Sequence, residues 1–358
     1  MLDENGSLEL LGRDYQAGTL SILNKIEELL ELTKGDKANI ELYEEMLLSV
    51  VRTAQADRDR WDAKIMLQTL RELENAFSYL ERFKHRRKVT VFGSARTPPG
   101  HPLYELAREL GQVLAQHDFM SITGGGGGIM EATHVGAGLE NSLGFNITLP
   151  FEQQSNRIIH NTFHDVSFNF FFLRKLFFIK EADALVLCPG GFGTLDETLE
   201  ILTLVQTGKS PLVPVILLDE PNGNYWQSLL EFFRQQLVAH GYILESDLKL
   251  MQVAHSPAQA VQYILGFYAN FHSSRWLGDR FILRYQRPLT DTALHTVQHQ
   301  FTDMCDSSGF TQDTIDKELL GEPELIHLHH LTFQPKGRGQ GRLRDLIDFV
   351  NHADNSPL

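Results

Sequence analysis

The sequence predicts an α/β fold: a doubly wound parallel sheet, preceded by helices and followed by a small βαβα appendage. Between residues 88 and 272, short apolar runs alternate with segments of helical periodicity, which is the pattern of successive strand and helix units. Runs such as VPVILL are apolar on both faces, as strands of a covered parallel sheet are. We therefore expect this domain at residues 88–272, between a helical region at 1–87 and the appendage at 273–358.

Composition sets the broad class of protein. The chain has 358 residues, 42% hydrophobic and 22% charged, as in globular proteins with a full core. A net charge of -14 argues against binding a nucleic-acid backbone, which requires a basic surface. The most apolar stretch, FNFFFLRKLFFIK, contains three cations and is too short to span a membrane. With no signal-peptide pattern at the N-terminus, we expect a cytoplasmic protein that binds neither nucleic acid nor membrane.

Helical periodicity dominates residues 16–84. Apolar residues recur there at helical spacing, as in Leu20, Leu23, Ile26 and Leu30, which predicts three helices. A basic cluster at residues 84–88 marks the boundary, and we interpret it as a solvated linker.

Strand and helix units follow in alternation along the central domain. Strands are predicted at residues 89–92, 119–123, 144–149, 166–168, 184–188, 213–218 and 251–254. Helices are predicted near residues 103–117, 129–140, 169–181, 195–207, 226–240 and 257–270. Sheets of this kind bind ligands at the carboxyl ends of their strands, so functional residues are expected in the loops that follow the strands.

The appendage combines two strand-like runs with two helices. The runs are FILRY and LIHLHHLTF, and the helices lie at residues 290–304 and 343–351. His327, His329 and His330 alternate sides of a strand, which favours sheet filler over a metal site. The basic segment PKGRGQGRLRD, residues 335–345, lies at the start of the last helix, where anions can bind, but an exposed basic turn is the favoured interpretation. The two cysteines, Cys188 and Cys305, form neither a disulfide framework nor a metal-ligand set.

Glycine-rich loops follow three of the predicted strands, at residues 93–97, 123–132 and 189–197. Five consecutive glycines are costly to order, which indicates that something approaches their backbone closely. A glycine loop between a strand and a helix presents free amides and the positive end of a helix dipole, a combination suited to phosphate. Neither the Walker pattern nor the dinucleotide fingerprint is satisfied, so these two nucleotide-binding motifs do not account for the loops.

Two further features have competing interpretations. Thr194 and Glu197 form a T-x-x-E capping box, in which the acid would serve only the helix start; the alternative is a functional carboxylate. Arg174 and Lys175 lie in a helix apolar nearly all round, which is expected to be buried, and a buried cation needs an anionic partner. That partner is either an internal salt bridge or a phosphorylated ligand bound by the glycine loops.

The segments TGGGGGIMEA and FFLRKLFFIKEADALVLCPGGFGTLDETLEILT resemble the LOG family, also labelled lysine decarboxylase-like, over residues 88–270. The PGGxGTxxE signature matches in letter and spacing at residues 189–197. The resemblance implies a Rossmann-like nucleotide-binding domain that hydrolyses the N-glycosidic bond of nucleoside 5′-monophosphates. The products would be free base and ribose 5-phosphate, and no metal or cofactor is implied.

The resemblance also implies the roles of individual residues. Arg174 and Glu197 would be the catalytic pair. The implied substrate-binding residues are Ser94, Gly124, Gly125, Gly126, Gly127, Gly128, Glu152, Lys175, Gly190, Gly191, Phe192, Gly193, Thr194, Asp196 and Thr203. The chain departs from the plant pattern at Gly127, where a serine is usual, and at Glu131, near the last family glycine.

Several alternatives and partners belong to the same prediction. A nucleotide sensor could bind through these loops without cleavage, whereas retention of both Arg174 and Glu197 favours catalysis. Decarboxylation of lysine with pyridoxal phosphate would rest only on the family's older label. Family members are commonly dimers or larger, which implies a homo-oligomer, and the added terminal regions resemble those of larger bacterial relatives that respond to nucleotide effectors.

Overall fold

The structure is a computed structural model that describes residues 19–33, 39–57, 59–149, 154–314, 322–337 and 339–353. The chain divides into two compact units, one ending at Arg71 and one beginning at Glu72. The predicted helices are present as α1 (Thr19–Leu32), α2 (Ile40–Gln55) and α3 (Arg60–Leu80). In the first unit, Ile26 and Leu30 of α1 pack with Leu48 of α2, as their helical spacing requires.

A parallel sheet of seven strands forms the centre of the second unit, and all seven predicted strands are confirmed. Its order is β4-β3-β2-β1-β5-β6-β7, and every neighbouring pair is parallel. The strands are β1 (Lys88–Phe92), β2 (Met120–Thr123), β3 (Ser142–Ile147), β4 (Asp165–Phe168), β5 (Ala184–Leu187), β6 (Val215–Leu218) and β7 (Met251–Ala254).

Helices cover both faces of this sheet, because alternate strand residues point to opposite sides. Val89 and Val91 of β1 belong to one core cluster, whereas Phe92 belongs to the other. The first face carries α4 (Pro102–Gln116), α5 (Ile129–Ala137) and α9 (Pro257–Phe267). The second carries α6 (Phe171–Lys180), α7 (Phe192–Gln206) and α8 (Tyr225–Phe232).

The strand order reverses direction between β1 and β5. From β1 the chain moves outward through β2, β3 and β4, then returns to place β5 on the other side of β1. The loops after β1 and β5 therefore leave the sheet on opposite faces, and a crevice opens between them. This crevice is where a doubly wound sheet places a ligand.

The appendage is a second sheet, antiparallel, in the order β10-β11-β9-β8. Its elements are β8 (Phe271–Leu277), β9 (Arg280–Tyr285), α10 (Asp291–Gln300), β10 (Thr311–Gln312), β11 (His329–Phe333) and α11 (Gln340–His352). The predicted βαβα units are present, but the prediction lacked β8 and β10. Strand β8 has adjacent serines and little alternation of apolar and polar residues, and β10 has only two residues. Leu346 and Ile347 of α11 join the core of the main sheet.

Among the helices that the structure describes, none combines the length and the apolar character needed to cross a membrane.

Candidate active site

Three strand-end loops meet at the crevice, and the main chain of Ser94 joins them. The Ser94 amide donates to Pro189 O at 3.2 Å, and its carbonyl accepts from Ile129 N at 3.0 Å. Ser94 follows β1, Pro189 follows β5 and Ile129 begins α5 after the loop from β2. The glycine-rich loops predicted from the sequence therefore converge on one place.

A cavity of about 920 Å³ lies at this junction, large enough for a nucleotide. Its wall contains both predicted catalytic residues, Arg174 and Glu197. The predicted binding residues in the wall are Ser94, Gly124, Gly126, Gly190, Gly191, Phe192, Gly193, Thr194 and Asp196. The structure thus brings eleven of the candidate residues to one cavity.

The remaining candidates lie elsewhere. Gly125, Gly127, Gly128, Lys175 and Thr203 are not part of the cavity wall. Thr203 is exposed on α7, where its hydroxyl donates to Leu199 O at 2.8 Å. Glu152 lies outside the described residues, so its assignment stays a prediction.

Two of the five glycines have a packing reason that the sequence interpretation did not include. Gly128 has φ +62°, and a Cβ there would lie 2.3 Å from Ser94 O. Gly125 has φ +74°, and a Cβ would lie 3.1 Å from the Asn146 side chain. The left-handed backbone favours glycine at both positions. At these two positions the close approach comes from the protein's own neighbouring segments.

The capping-box interpretation of Glu197 is wrong. Helix α7 begins at Phe192 with Gly191 as its N-cap and no side-chain cap, so Thr194 already lies within the first turn. Its amide donates to Gly191 O at 3.1 Å. The glycine turn allows the helix to start two residues earlier than the threonine, which leaves the Glu197 carboxylate available for another role.

Glu197 is a buried carboxylate at the cavity wall, with 5% of its surface exposed. Burial raises its pKa from 4.5 to about 7, although Lys175 and Arg174 pull it down. A group with this pKa exists in both protonation states near neutral pH, which suits general acid-base chemistry.

Lys175 is held by an internal ion-pair cluster. Its ammonium lies 2.8 Å from Asp196 Oδ2, 2.6 Å from Glu200 Oε2 and 3.9 Å from Glu197 Oε2. Burial would lower its pKa, but the hydrogen bonds to Asp196 and Glu200 and the charge of Glu197 raise it overall. For Lys175, therefore, the salt-bridge interpretation of the basic pair holds.

Arg174 differs from its neighbour. Its Nε is buried without a hydrogen-bond partner, and no ion pair joins its guanidinium to a carboxylate among the residues that the structure describes. The guanidinium lies over the rings of Phe171 and Phe178, at 5.0 and 5.4 Å from their centroids. Burial lowers its pKa, against the pull of Glu197 and Asp196. A cation with unused donors at a cavity is suited to an anionic ligand.

Helix α6, which carries Arg174, is less buried than the sequence suggested. Leu173, Phe177 and Phe178 pack into the core, but Phe171 and Phe172 are 51% and 55% exposed. The expectation of burial all round is wrong, because α6 contacts the sheet along one side only. Its other side is an apolar surface that continues from the cavity wall.

Sequence reasoning missed several residues of the wall, namely Arg96, Met130, Asn146, Phe171, Phe178 and Tyr225. Asn146 lies near the carboxyl end of β3 and Tyr225 follows β6, so the rule that ligands bind at strand ends could have identified both. The Tyr225 hydroxyl donates to Gly190 O at 2.8 Å and so also fixes the third glycine loop.

Comparisons with known proteins point to one family. Residues 127–264 match the family model described as possible lysine decarboxylase. Over 164 residues, the chain is 32% identical to a probable cytokinin riboside 5′-monophosphate phosphoribohydrolase of Oryza sativa subsp. japonica, covering 44% of this chain and 63% of that protein. Over 192 residues, it is 28% identical to a cytokinin riboside 5′-monophosphate phosphoribohydrolase of Arabidopsis thaliana, covering 52% of this chain and 84% of that protein.

A second rice relative is matched over 28% of this chain and only 44% of its own length. Among solved structures, a molybdenum cofactor binding protein from the phototrophic bacterium Rippkaea orientalis is 21% identical with a TM-score of 0.36. That alignment covers 49% of this chain and 93% of the other.

Proposed function

We propose that this chain, which belongs to the LOG family through its α/β domain, hydrolyses the N-glycosidic bond of nucleoside 5′-monophosphates. The products would be a free base and ribose 5-phosphate. The observation that carries the proposal is the pairing, in one cavity, of an arginine that forms no ion pair with the described residues and a buried carboxylate with a pKa of about 7. The phosphoribohydrolase activities for which the rice and Arabidopsis relatives are named support it.

In the proposed reaction, a water oxygen bonds to C1′ of the ribose while the C1′–N bond breaks. The bonding electrons pass to the base, which takes up a proton, and the attacking water loses one. Positive charge develops on the sugar ring in the transition state, and a fixed carboxylate stabilises it. Glu197 in its ionised form supplies that charge and accepts the proton from water.

The phosphate end of the substrate is assigned to Arg174 and the glycine loops. Nη1 of Arg174 lies 3.9 Å from the position that a Cβ of Gly124 would occupy, so the guanidinium and the second glycine loop face the same ligand space. Arginine binds phosphate through several charge-assisted hydrogen bonds. Binding energy from the phosphate then aligns the glycosidic bond beside Glu197.

The cavity favours hydrolysis over pyridoxal-phosphate chemistry, which the family's description suggests. That cofactor is held as a Schiff base by a lysine, and the described residues that line the cavity include no lysine. Lys175, on the same helix as Arg174, is committed to carboxylates on α7.

The test is incubation of the protein with each common nucleoside monophosphate, followed by chromatographic detection of free base. Glu197→Gln is expected to lower kcat at least about 100-fold, the usual scale for a positioned acid-base group. Glu200→Gln is the matched control, because Glu200 lies on the same helix, bonds Lys175 and is not in the cavity wall. Equal activity of wild type and Glu197→Gln would overturn the mechanism. Nucleotide binding without release of base would instead support a sensor.

We propose a second copy of the chain as the partner of the exposed side of α6. Phe171, Phe172 and Leu176 are each about half exposed there, and contiguous apolar surface of this kind is typical of interfaces. Light scattering after gel filtration should show a dimer or larger oligomer that Phe172→Glu dissociates. Leu265→Glu, on the opposite face of the sheet, should leave the assembly intact. A monomeric wild type would overturn this assignment.

A further inference from the structure

A buried polar network lies behind the second glycine loop, and the proposed reaction makes no direct use of it. Thr123 and His134 have no exposed surface, and Asn156 has 7%. Thr123 ends β2, His134 lies on α5, and Asn156 lies in the segment between β3 and β4. Burying so many polar groups is costly unless each has a defined partner.

Asn156 bonds the carbonyls of the loop. Its side-chain Nδ2 donates to Gly125 O at 3.1 Å and to Gly126 O at 3.2 Å, and its backbone amide donates to Gly125 O at 2.7 Å. The Gly125 amide donates to the Thr123 hydroxyl at 3.0 Å. Consecutive peptide groups of the loop are therefore fixed from the buried side.

His134 determines which way the Asn156 amide is oriented. His134 Nε2 lies 3.1 Å from the Thr123 hydroxyl and 3.2 Å from Leu143 O. Because the carbonyl can only accept, we assign the hydrogen to Nε2. Nδ1 then accepts from Asn156 Nδ2, 3.1 Å away, so the NH₂ group occupies the side of Asn156 that faces the loop, and its two hydrogens are shared among Nδ1 and the two glycine carbonyls. Burial lowers the pKa of His134 to about 4, so the ring stays neutral and keeps this arrangement.

The orientation of the carbonyls determines the orientation of the amides. In a trans peptide, the C=O and N–H groups point in opposite directions, and none of the peptide bonds in the described residues is cis. Because the Gly125 and Gly126 carbonyls point to Asn156, the amides of Gly126 and Gly127 point away from it. Gly126 lines the cavity, so its amide is directed to the ligand side. The Gly127 amide points in the same direction, although Gly127 is not part of the cavity wall.

We propose that Asn156, oriented by neutral His134, is a positioning residue that makes the second glycine loop an anion site by holding its carbonyls away from the cavity. Without this clamp, glycine peptides can rotate at little conformational cost and present carbonyl oxygens to an anion. The inference rests on the proposed function only in taking the anion to be the 5′-phosphate of the ligand.

The test uses Asn156→Leu and Asn156→Asp, which remove the donors at nearly constant volume. Calorimetry with ribose 5-phosphate should show affinity lowered by about tenfold or more in both, as expected when bonds to a charged group are lost. In turnover assays, KM should rise by a similar factor, with kcat changed by less than about threefold. Asn141→Leu is the control, because Asn141 bonds Ala137 O at the end of α5 and is not in the cavity wall.

Hydrogen exchange of the wild type provides a second readout that does not require a folded variant. The Gly126 and Gly127 amides should exchange freely without ligand and become protected by ribose 5-phosphate. Wild-type affinity in both Asn156 variants, or no protection of these amides, would overturn the inference. Binding of ribose 5-phosphate without hydrolysis of any monophosphate would refute the hydrolase proposal alone. Hydrolysis with unaltered binding in the variants would refute only the role of Asn156.

Discussion

Replacing Glu197 by glutamine should stabilise the protein above neutral pH, even though it removes the proposed catalytic group. The carboxylate is 5% exposed, and its pKa is raised from 4.5 to about 7 in spite of two nearby cations. The folded state therefore binds this proton more tightly than the unfolded state does. The resulting stabilisation is fully present below about pH 4.5 and is lost as the pH rises through about 7.

The magnitude follows from the size of the shift. Each pKa unit corresponds to about 1.4 kcal/mol, so the ionised carboxylate costs the folded state about 3 kcal/mol above pH 7, and less than about 1 kcal/mol at pH 5. Glutamine has nearly the same shape and no charge to desolvate. The melting temperature of Glu197→Gln should exceed that of wild type by several degrees at pH 8, with a much smaller difference at pH 5.

Thermal unfolding followed by circular dichroism at the two pH values measures this difference. Glu200→Gln is the comparison, since it removes a partner of Lys175 on the same helix and should lower stability slightly at pH 8. A Glu197→Gln variant that melts below wild type at pH 8, or an advantage equal at both pH values, would show that burial of the charge is not the dominant effect.

Three further predictions concern the surroundings of the site. Gly128→Ala should lower the free energy of unfolding in urea by more than about 2 kcal/mol, because of its positive φ and the clash with Ser94 O. Gly127→Ala, whose Cβ would meet nothing closer than 3.6 Å, should cost less than about 1 kcal/mol; equal costs would contradict the packing argument. Arg174→Met should weaken ribose 5-phosphate binding about tenfold or more in calorimetry without lowering the melting temperature, since the change removes a partly buried cation whose Nε has no hydrogen-bond partner and which forms no ion pair with the described residues; a marked loss of stability would indicate an internal partner. Glu72→Ala should lower the free energy of unfolding by about 1–3 kcal/mol, because Glu72 accepts hydrogen bonds from Asn169 and from the amide of Phe170 at the start of α6; an unchanged urea midpoint would contradict this.

The main sheet and the meeting of the loops could be predicted because they depend on local signals. Strands buried on both faces, such as β6, are continuous apolar runs, and parallel strands bring their carboxyl ends to one edge. The helix start at Phe192 could not be predicted, because the glycine turn offers a start that competes with the Thr194 pattern. The exposure of Phe171 and Phe172 on α6 depends on which segments pack against the helix, and the composition of the helix does not predict those contacts.

Long-range contacts account for most of what the sequence did not show. Nothing in the segment around Asn156 indicates that its side chain reaches glycine carbonyls about 30 positions earlier. Glycine is required at position 128 because of a carbonyl more than 30 positions away, that of Ser94. The run of five glycines alone does not show which of them has such a neighbour. Strand β8 was missed because its stability comes from pairing with β9 and not from its own pattern.

The junction at Ser94 has a consequence for how such a site can change over time. Its two bonds use backbone atoms, so they persist whatever side chain occupies the position, proline excepted because it lacks the amide hydrogen. Mutation can thus vary the Ser94 side chain, which lies in the cavity wall and accepts a hydrogen bond from the Arg96 amide, while the relative placement of the three turns is inherited unchanged.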